Sequence, residues 1–490
     1  MSLLFMSPSR QRSFAHGIAW NLAGAGIPLV FAFLAIPILL SGYGNARFGF
    51  LTIVWSLIGY FSIFDFGIGR ALTKVVSDRI GAGSTGDIGD ITATALRVML
   101  LLGVLAAVII ELAAPKLVGL LKIDASLLRE AVASLRILGV SIPFVILSAG
   151  LIGILEAHNQ FQSINTIRLM MGLLNFAAPL VMLHWSNHLV PATISLAISR
   201  VVTTSLYFTR VGRLESISTS SRSFEKRHIR ELLGFGGWIT VSNLVSPLMA
   251  QLDKVVIGGV VALALLPFYS VPADLVNRFS FAPISMVGVF FPAFAATWAS
   301  RNRAALPPMY ASASKAMCAA MLPAALCLYA FASEGLGVWM GHDFSVRSAP
   351  LLRWLAVGLL VNSMARIPHA FLQAIGRPSV TAKLHMLELP IYGGGLWLLL
   401  THFGILGAAI AWTGRMTLDF LLLVACANVA FPELAKKSLL LIFAVFAGIS
   451  LMLGVGSVGP MWLKVLAASL ISVTSLGYAF DTLTQIRRHD

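Results

Sequence analysis

The sequence predicts an all-α protein that crosses a membrane about 14 times. Three observations lead there. Of its 490 residues, 58% are hydrophobic and only 11% charged, with a mean hydropathy of +0.87; a soluble domain carries about 25% charged residues. The apolar residues fall in runs of about 20, the length of a helical span. Lys and Arg gather in alternate loops between those runs. Single soluble cores stop growing near roughly 250–300 residues, so this much apolar surface needs lipid as its solvent. A soluble enzyme, a disordered scaffold and a single-span receptor are excluded.

Taken in order, runs bounded by charge, Pro or Gly predict spans at 15–40, 45–68, 90–113, 131–155, 163–184 and 188–210. A second set lies at 231–259, 264–294, 308–332, 349–374, 381–402 and 405–429, with two more at 437–457 and 461–480. The first run follows Arg10 and Arg12 but is too long for a signal-peptide core, so it reads as a retained helix. With the N-terminus inside, the inner segments hold about 19 Lys and Arg and the outer loops about five. The positive-inside rule then places both termini in the cytoplasm. Cys318, Cys327 and Cys426 all lie in apolar runs and read as core thiols, with no disulfide framework.

One long polar linker, rich in Ser and Arg, follows the sixth span and divides the chain. The expected organisation is an N-terminal six-helix lobe at 1–210, a basic cytoplasmic linker at 211–230, a second six-helix lobe at 231–430, and two further helices with a tail at 431–490. Matches between halves support a duplication. Trp20 and Pro28 answer Trp238 and Pro247, Leu155 answers Leu372, and Ala192 and Ile194 answer Ala408 and Ile410, at a shared offset of roughly 216–219 residues. Six spans per repeat is an even number, so both lobes insert in the same orientation.

Charges inside the spans are the candidate functional residues, because each costs roughly 2.5–3.5 kcal/mol near a helix centre. Arg97, Arg168, Lys315, Arg136, Arg353 and Lys464 lie near span ends, where long stems snorkel to the interface. The deeper ones are harder to explain that way. Pro272, Asp274, Asn277 and Arg278 sit mid-span, where the proline can open the helix. Asp274 and Arg278 are i, i+4, so they either neutralise each other or line a hydrated face. Arg415 and Asp419 repeat this spacing, and there an internal ion pair is favoured. Arg200 has no acid within a turn and sits at a matching depth in the other half. Lys254 and Asp253 are adjacent, so they point about 100° apart on a helix. Asp65 closes the second span beside Arg70 and Lys74. Within the spans, bases exceed acids by about five, and a cationic hydrated site attracts anions. The candidate anion-binding set is Arg278, Arg200, Arg415, Lys254, Arg70 and Arg366; the candidate ion-coupling acids are Asp65, Asp253 and Asp274.

No Walker A, HExxH or GxSxG pattern and no Cys/His metal spacing occurs, so no catalytic residue, metal or cofactor is assigned. His158, His369 and His385 are single residues in or near spans and read as structural. The basic loops read as topology signals rather than nucleic-acid patches.

Several motifs carry a family resemblance. They are Trp20-Asn21 and Pro28, Tyr43-Gly44 to Phe48-Gly49, and Phe64-Asp65-Phe66-Gly67 to Ala71. Asp253-Lys254-Val255-Val256-Ile257-Gly258 precedes Phe268-Tyr269, and Leu372-Gln373-Ala374-Ile375-Gly376-Arg377 precedes Phe403-Gly404-Ile405-Leu406-Gly407-Ala408-Ala409. The chain resembles the O-antigen and exopolysaccharide repeat-unit flippases (Wzx-type) of the multidrug/oligosaccharidyl-lipid/polysaccharide (MOP) exporter superfamily. The Asp274/Arg278 segment departs from that pattern. The resemblance implies two six-helix lobes around a V-shaped cavity that opens alternately to either side. It implies a polyprenyl-pyrophosphate-linked oligosaccharide as cargo, moved across a bacterial inner membrane by an ion gradient, with membrane lipids and a polysaccharide polymerase or export complex as partners. A multidrug/cation antiporter, whose cavity should be acidic, and a lipid-linked murein precursor flippase are the alternatives.

Overall fold

The structure, a computed structural model, describes residues 8–84, 86–214 and 253–488. The expected linker and most of the seventh span lie outside the described residues, as do Trp238 and Pro247. Among the described residues the secondary structure is helical throughout, with no strand. By its contacts the chain forms two compact units, Met1–Ala264 and Leu265–Asp490.

Unit 1 begins with α1, Pro8–Tyr60, whose 53 residues suit two spans. Gly44 separates them: at φ 74° and ψ 165° it takes a conformation that a side chain would oppose. After a 3-10 turn at Phe61–Asp65 comes α2, Ile68–Gly81, a short helix that the hydropathy pattern did not separate. Its apolar stripe Ile68, Leu72, Val75 and Val76 is buried, and its opposite face carries Arg70, Lys74 and Asp78. Then follow α3 (Ile88–Gly119), α4 (Ala125–Val140), α5 (Ile142–Ala157), α6 (Phe161–Leu183) and α7 (Leu189–Val211).

Close helix approach and side-chain bonds hold this unit, as expected where lipid removes the hydrophobic drive between helices. A Cβ at Gly153 of α5 would lie 2.5 Å from the Gly69 carbonyl of α2, so only glycine permits that contact. Tyr43 Oη donates to the Pro179 carbonyl at 2.8 Å, tying α1 to α6. Thr204 of α7 donates to the Phe144 carbonyl of α5 at 2.9 Å. The last part of the unit is α8, described over 253–260. It is stitched to the α3–α4 turn: Lys122 N–H donates to Gly258 O at 2.8 Å, and Leu263 N–H donates to Lys122 O at 3.1 Å.

Unit 2 comprises α9 (Leu266–Phe279), α10 (Phe281–Ala299), α11 (Leu306–Ala330), α12 (Ala332–Met340), α13 (His342–Ala374), α14 (Pro378–Phe403), α15 (Ile405–Ala430), α16 (Ala435–Ser457) and α17 (Met461–Arg488). Its centre is α13, most of whose length is buried and which packs on α9, α10, α11, α12 and α15. Gly358 admits the Trp412 ring of α15, and Thr413 donates to the Trp354 carbonyl at 2.8 Å. Phe371 of α13 gathers Phe294, Tyr310 and Phe431 edge-on around it at 5.7–6.1 Å. The two C-terminal helices, α16 and α17, both pack on α11.

Among the described residues, ten stretches are long and apolar enough to cross a membrane. The kinked α1 holds the first two expected spans within one of them, α14 is a 26-residue helix, and Met461–Gly477 is a shorter apolar helix. These elements fit the expected architecture of about 14 helices, of which the seventh span lies mostly outside the described residues. One detail differs from expectation: the helix stays intact through Pro272 and breaks instead at Ser280, between α9 and α10. The cysteines are free and none is fully buried; Cys327 is exposed.

Candidate functional site

In unit 1 the deepest charge is Arg200, midway along α7 and 5% exposed. Its Nη2 donates to Asn175 Oδ1 of α6, and its Nε has no hydrogen-bond partner. Among the described residues its side chain thus rests on one neutral amide. Among the described residues no carboxylate pairs with it. A guanidinium does not deprotonate in proteins, so among the described residues this positive charge inside the span has no counter-charge.

The other candidates of this unit lie elsewhere. Asp65 Oδ1 accepts the Gly67 N–H at 2.8 Å, closing a turn in which Phe66 and Gly67 both have positive φ. That bond explains the aspartate locally, as an Asx turn that starts α2. Arg70 is exposed on α2. Asp253 and Lys254 are buried at the head of α8, where Asp253 Oδ1 accepts the Lys254 N–H at 2.8 Å.

Unit 2 gathers charge on three helices. Arg366 and His369 of α13, His385, Glu388 and Tyr392 of α14, and Arg415 and Asp419 of α15 form one cluster. His369 and His385 stack with ring centroids 5.7 Å apart and planes 12° from parallel. His385 Nε2 lies 3.5 Å from Asp419 Oδ1, and Arg415 Nε lies 3.9 Å from Glu388 Oε2. The Arg415 guanidinium also sits 5.1 Å from the Tyr392 ring centroid. Glu388 is 1% exposed, yet neither of its carboxylate oxygens has a hydrogen-bond partner. Buried carboxylates are normally hydrogen-bonded; this one lies close to the Asp419 carboxylate and faces Arg415.

His385, Glu388 and Asp419 offer donor atoms within 4.8 Å of one another. Arg366, which interacts electrostatically with Asp419, and Arg415 already oppose both carboxylates. With neutral histidines the cluster is therefore charge-balanced without an added cation. Besides their i, i+4 spacing, Arg415 and Asp419 each face a group on α14, Glu388 at 3.9 Å and His385 at 3.5 Å. Asp274 and Arg278 stand apart from this cluster on α9, with Asp274 half-buried and Arg278 exposed.

A family model described as polysaccharide biosynthesis protein matches residues 39–349 of the sequence. The chain belongs to that family. A Shigella flexneri protein named for O-antigen transport is 28% identical over 416 residues, covering 84% of this chain and 97% of that one. Among solved structures, an inward-facing multidrug resistance MATE transporter of the MOP superfamily aligns with TM-score 0.71 at 16% identity, covering 85% of this chain and 99% of that one. The lipid II flippase MurJ, in an inward closed conformation, aligns with TM-score 0.67 at 15% identity over 95% of this chain and 100% of its own. This family member thus has the fold of the MOP exporters.

Four end-of-span cations of this family member have definite partners rather than snorkelling alone. Arg136 pairs with Glu111 at 3.2 Å, Arg168 with Glu156 at 3.7 Å and Lys464 with Glu334 at 2.8 Å, while Arg353 donates to Ser333 Oγ at 3.0 Å. The unit 2 cluster escaped sequence reasoning because its members span three helices. The signal was there in part: Arg366/His369 and His385/Glu388 are i, i+3, and Glu388/Tyr392 and Arg415/Asp419 are i, i+4. Each pair marks one polar helix face.

Proposed function

We propose that this protein flips polyprenyl-pyrophosphate-linked oligosaccharide repeat units across a bacterial inner membrane, by alternating access driven by an ion gradient. The observation that carries the reading is Arg200, a buried guanidinium in the middle of a span that, among the described residues, meets a neutral amide and no carboxylate. Such a charge is expensive in a membrane and is a binding site by default. Its planar fork suits phosphate oxygens. The family match and the O-antigen transport name of the Shigella flexneri relative favour the same cargo. An organic-cation antiporter would need an acidic site at this depth, and Arg200 is the opposite.

Arg278, exposed at the helix break, Arg70 and Lys254 complete the anion-binding set in this reading, with Arg366 and Arg415 in unit 2. Asp253 and Asp274 remain the ion-coupling acids; Asp65 serves its turn as well. Both termini face the cytoplasm, and a polysaccharide polymerase or export complex receives the product.

The test is translocation by the purified protein in proteoliposomes. A fluorescent prenyl-pyrophosphate oligosaccharide should cross with wild-type protein and fail to cross with Arg200→Ala and Arg278→Ala, both inserted normally. Efflux of organic cations in place of the glycolipid would overturn the assignment, and equal transport of a murein precursor would reassign the cargo.

A further inference from the structure

Two places on α6 answer two on α7. The helices run antiparallel across the short turn at 184–188, so seven residues back along α6 match seven residues on along α7. Asn175 meets Arg200 at the first level. At the second, Arg168 of α6 stands within electrostatic reach of Tyr207 of α7. Seven residues make nearly two full turns, so each helix presents both of its residues on one face, about 10 Å apart. We infer that this seam is a two-station anion path. Arg168 takes up a phosphate or diphosphate group at the Phe161 end of α6, Tyr207 Oη donates to it on the way in, and Arg200 holds it at depth.

Arg168 suits the first station. Its side chain is half exposed, and its Nη2 lies 3.7 Å from Glu156 Oε1, beyond hydrogen-bond distance. A phosphate that closes to about 2.8 Å on both prongs of the fork makes the stronger contact.

Tyr207 is the opposite case. It is 1% exposed, and its Oη has no hydrogen-bond partner, although buried polar groups are normally bonded. Side chains of an α-helix lean toward its N-terminus, which on α7 is the direction of Arg200. The ring therefore carries the hydroxyl from the level of Arg168 toward the deeper one.

The hydroxyls between the stations are already engaged. Thr203 donates to the Ser199 and Arg200 carbonyls, and Thr204 to the Phe144 and Arg200 carbonyls. What remains to donate along this face is Tyr207 Oη and the Arg200 guanidinium, whose Nε is also unbonded. A guanidinium accepts no hydrogen bond, so the ligand it suits is an anion with several oxygens. The two cations stand too far apart for one phosphate to touch both, and they serve in turn. A lipid-linked diphosphate as natural ligand rests on the function proposed above; the path itself does not.

The full-length protein in nanodiscs tests this by stopped-flow tryptophan fluorescence, with inorganic diphosphate and geranylgeranyl diphosphate as probes. Arg168→Gln should slow association of both about 10-fold and leave dissociation unchanged, as loss of a steering charge does. Glu156→Gln, which releases Arg168, should speed association about 3-fold, and the gain should vanish in Glu156→Gln/Arg168→Gln. Tyr207→Phe removes a hydroxyl that bonds to nothing, so its thermal midpoint should stay level or rise. Its association should nevertheless slow about 10-fold. Wild-type association in Arg168→Gln or in Tyr207→Phe overturns the path, and a lower midpoint in Tyr207→Phe makes its hydroxyl structural and overturns it too. If only Arg200→Ala impairs binding, the proposed function stands and the path falls. If the path variants slow inorganic diphosphate while the prenylated probe binds no better than the inorganic one, the path stands and the lipid-linked cargo falls.

Discussion

Glu130 caps a helix that begins 59 residues after it. Its Oε1 accepts the N–H of Leu189, the first residue of α7, whose own cap residue His188 supplies no side-chain bond. Its Oε2 pairs with Arg47 of α1 at 3.2 Å. One carboxylate thus fastens α4 to α1 and to the start of the helix that carries Arg200, and it complements the positive end of that helix.

Glu130→Ala should accordingly destabilise the protein by about 1–3 kcal/mol, the range for a lost cap and a charged hydrogen bond. Glu130→Gln keeps an acceptor oxygen for Leu189 and should lose less. Thermal midpoints of detergent-purified protein, read by fluorescence-detected size exclusion, check the order. A wild-type midpoint for Glu130→Ala would mean that solvent replaces the cap.

Gly153→Ala should cost about 1–3 kcal/mol, as overpacking does. The new methyl would meet the Gly69 carbonyl at 2.5 Å and Thr73 Oγ1 at 2.7 Å, forcing α2 away from α5. Gly288→Ala on α10 is the control, since a Cβ there meets nothing within 4 Å. Its midpoint should stay level or rise slightly. Equal losses in both variants would show that helix approach is not what Gly153 provides.

What the sequence disclosed and what it hid divide along a physical line. Hydropathy is local, so the membrane class, the number of spans and the isolated Arg200 were all legible. Charge pairing is tertiary. Arg415 and Asp419 looked like a self-contained pair, yet each also faces a group on α14, Glu388 and His385. His369 and His385 looked solitary because 16 residues and a helix turn lie between two stacked rings. Pro272 suggested a break that the helix does not make; the chain turns at Ser280, three residues before Pro283, which cannot donate to the Phe279 carbonyl. The partner of an end-of-span cation, such as Glu334 for Lys464, sits on another helix and leaves no local trace.

The Glu334–Lys464 pair gives a pH dependence with a definite sign. Glu334 lies on α12, outside the spans. Partial burial pushes its carboxyl upward, but the bond to Lys464 and the charges of Lys464 and Arg353 outweigh this and hold it below the ordinary value. A depressed folded value means stability that is fully present above the unfolded value of about 4.3 and lost as pH falls through the folded one. The wild-type thermal midpoint should therefore drop more steeply below about pH 4.3 than that of Glu334→Gln. The difference should stay under about 1 kcal/mol, because the carboxylate is 35% exposed. At neutral pH Glu334→Gln should be worse than Lys464→Met, since it strands an ammonium that is only 9% exposed. Parallel pH profiles for wild type and Glu334→Gln would rule the pair out as their cause.

Asn175→Asp is the sharpest test of why Arg200 matters. The substitution keeps the shape of the side chain and the acceptor that Arg200 Nη2 already uses. It adds one negative charge against a guanidinium that has no carboxylate among the described residues. Folding should not suffer, because a buried arginine gains a counter-charge in a geometry already built. Transport of a prenyl-pyrophosphate glycolipid should nevertheless fall by about 10-fold or more, since the new carboxylate competes with phosphate for the same fork. Arg200→Lys keeps the charge but not the fork and should fall in between, while Arg200→Ala should be inactive. A purely structural Arg200 would give the reverse for Asn175→Asp: a protein that is more stable and transports as well as wild type. Stability and flux measured on the same reconstituted samples separate the two, because only an anion-binding arginine makes them move in opposite directions.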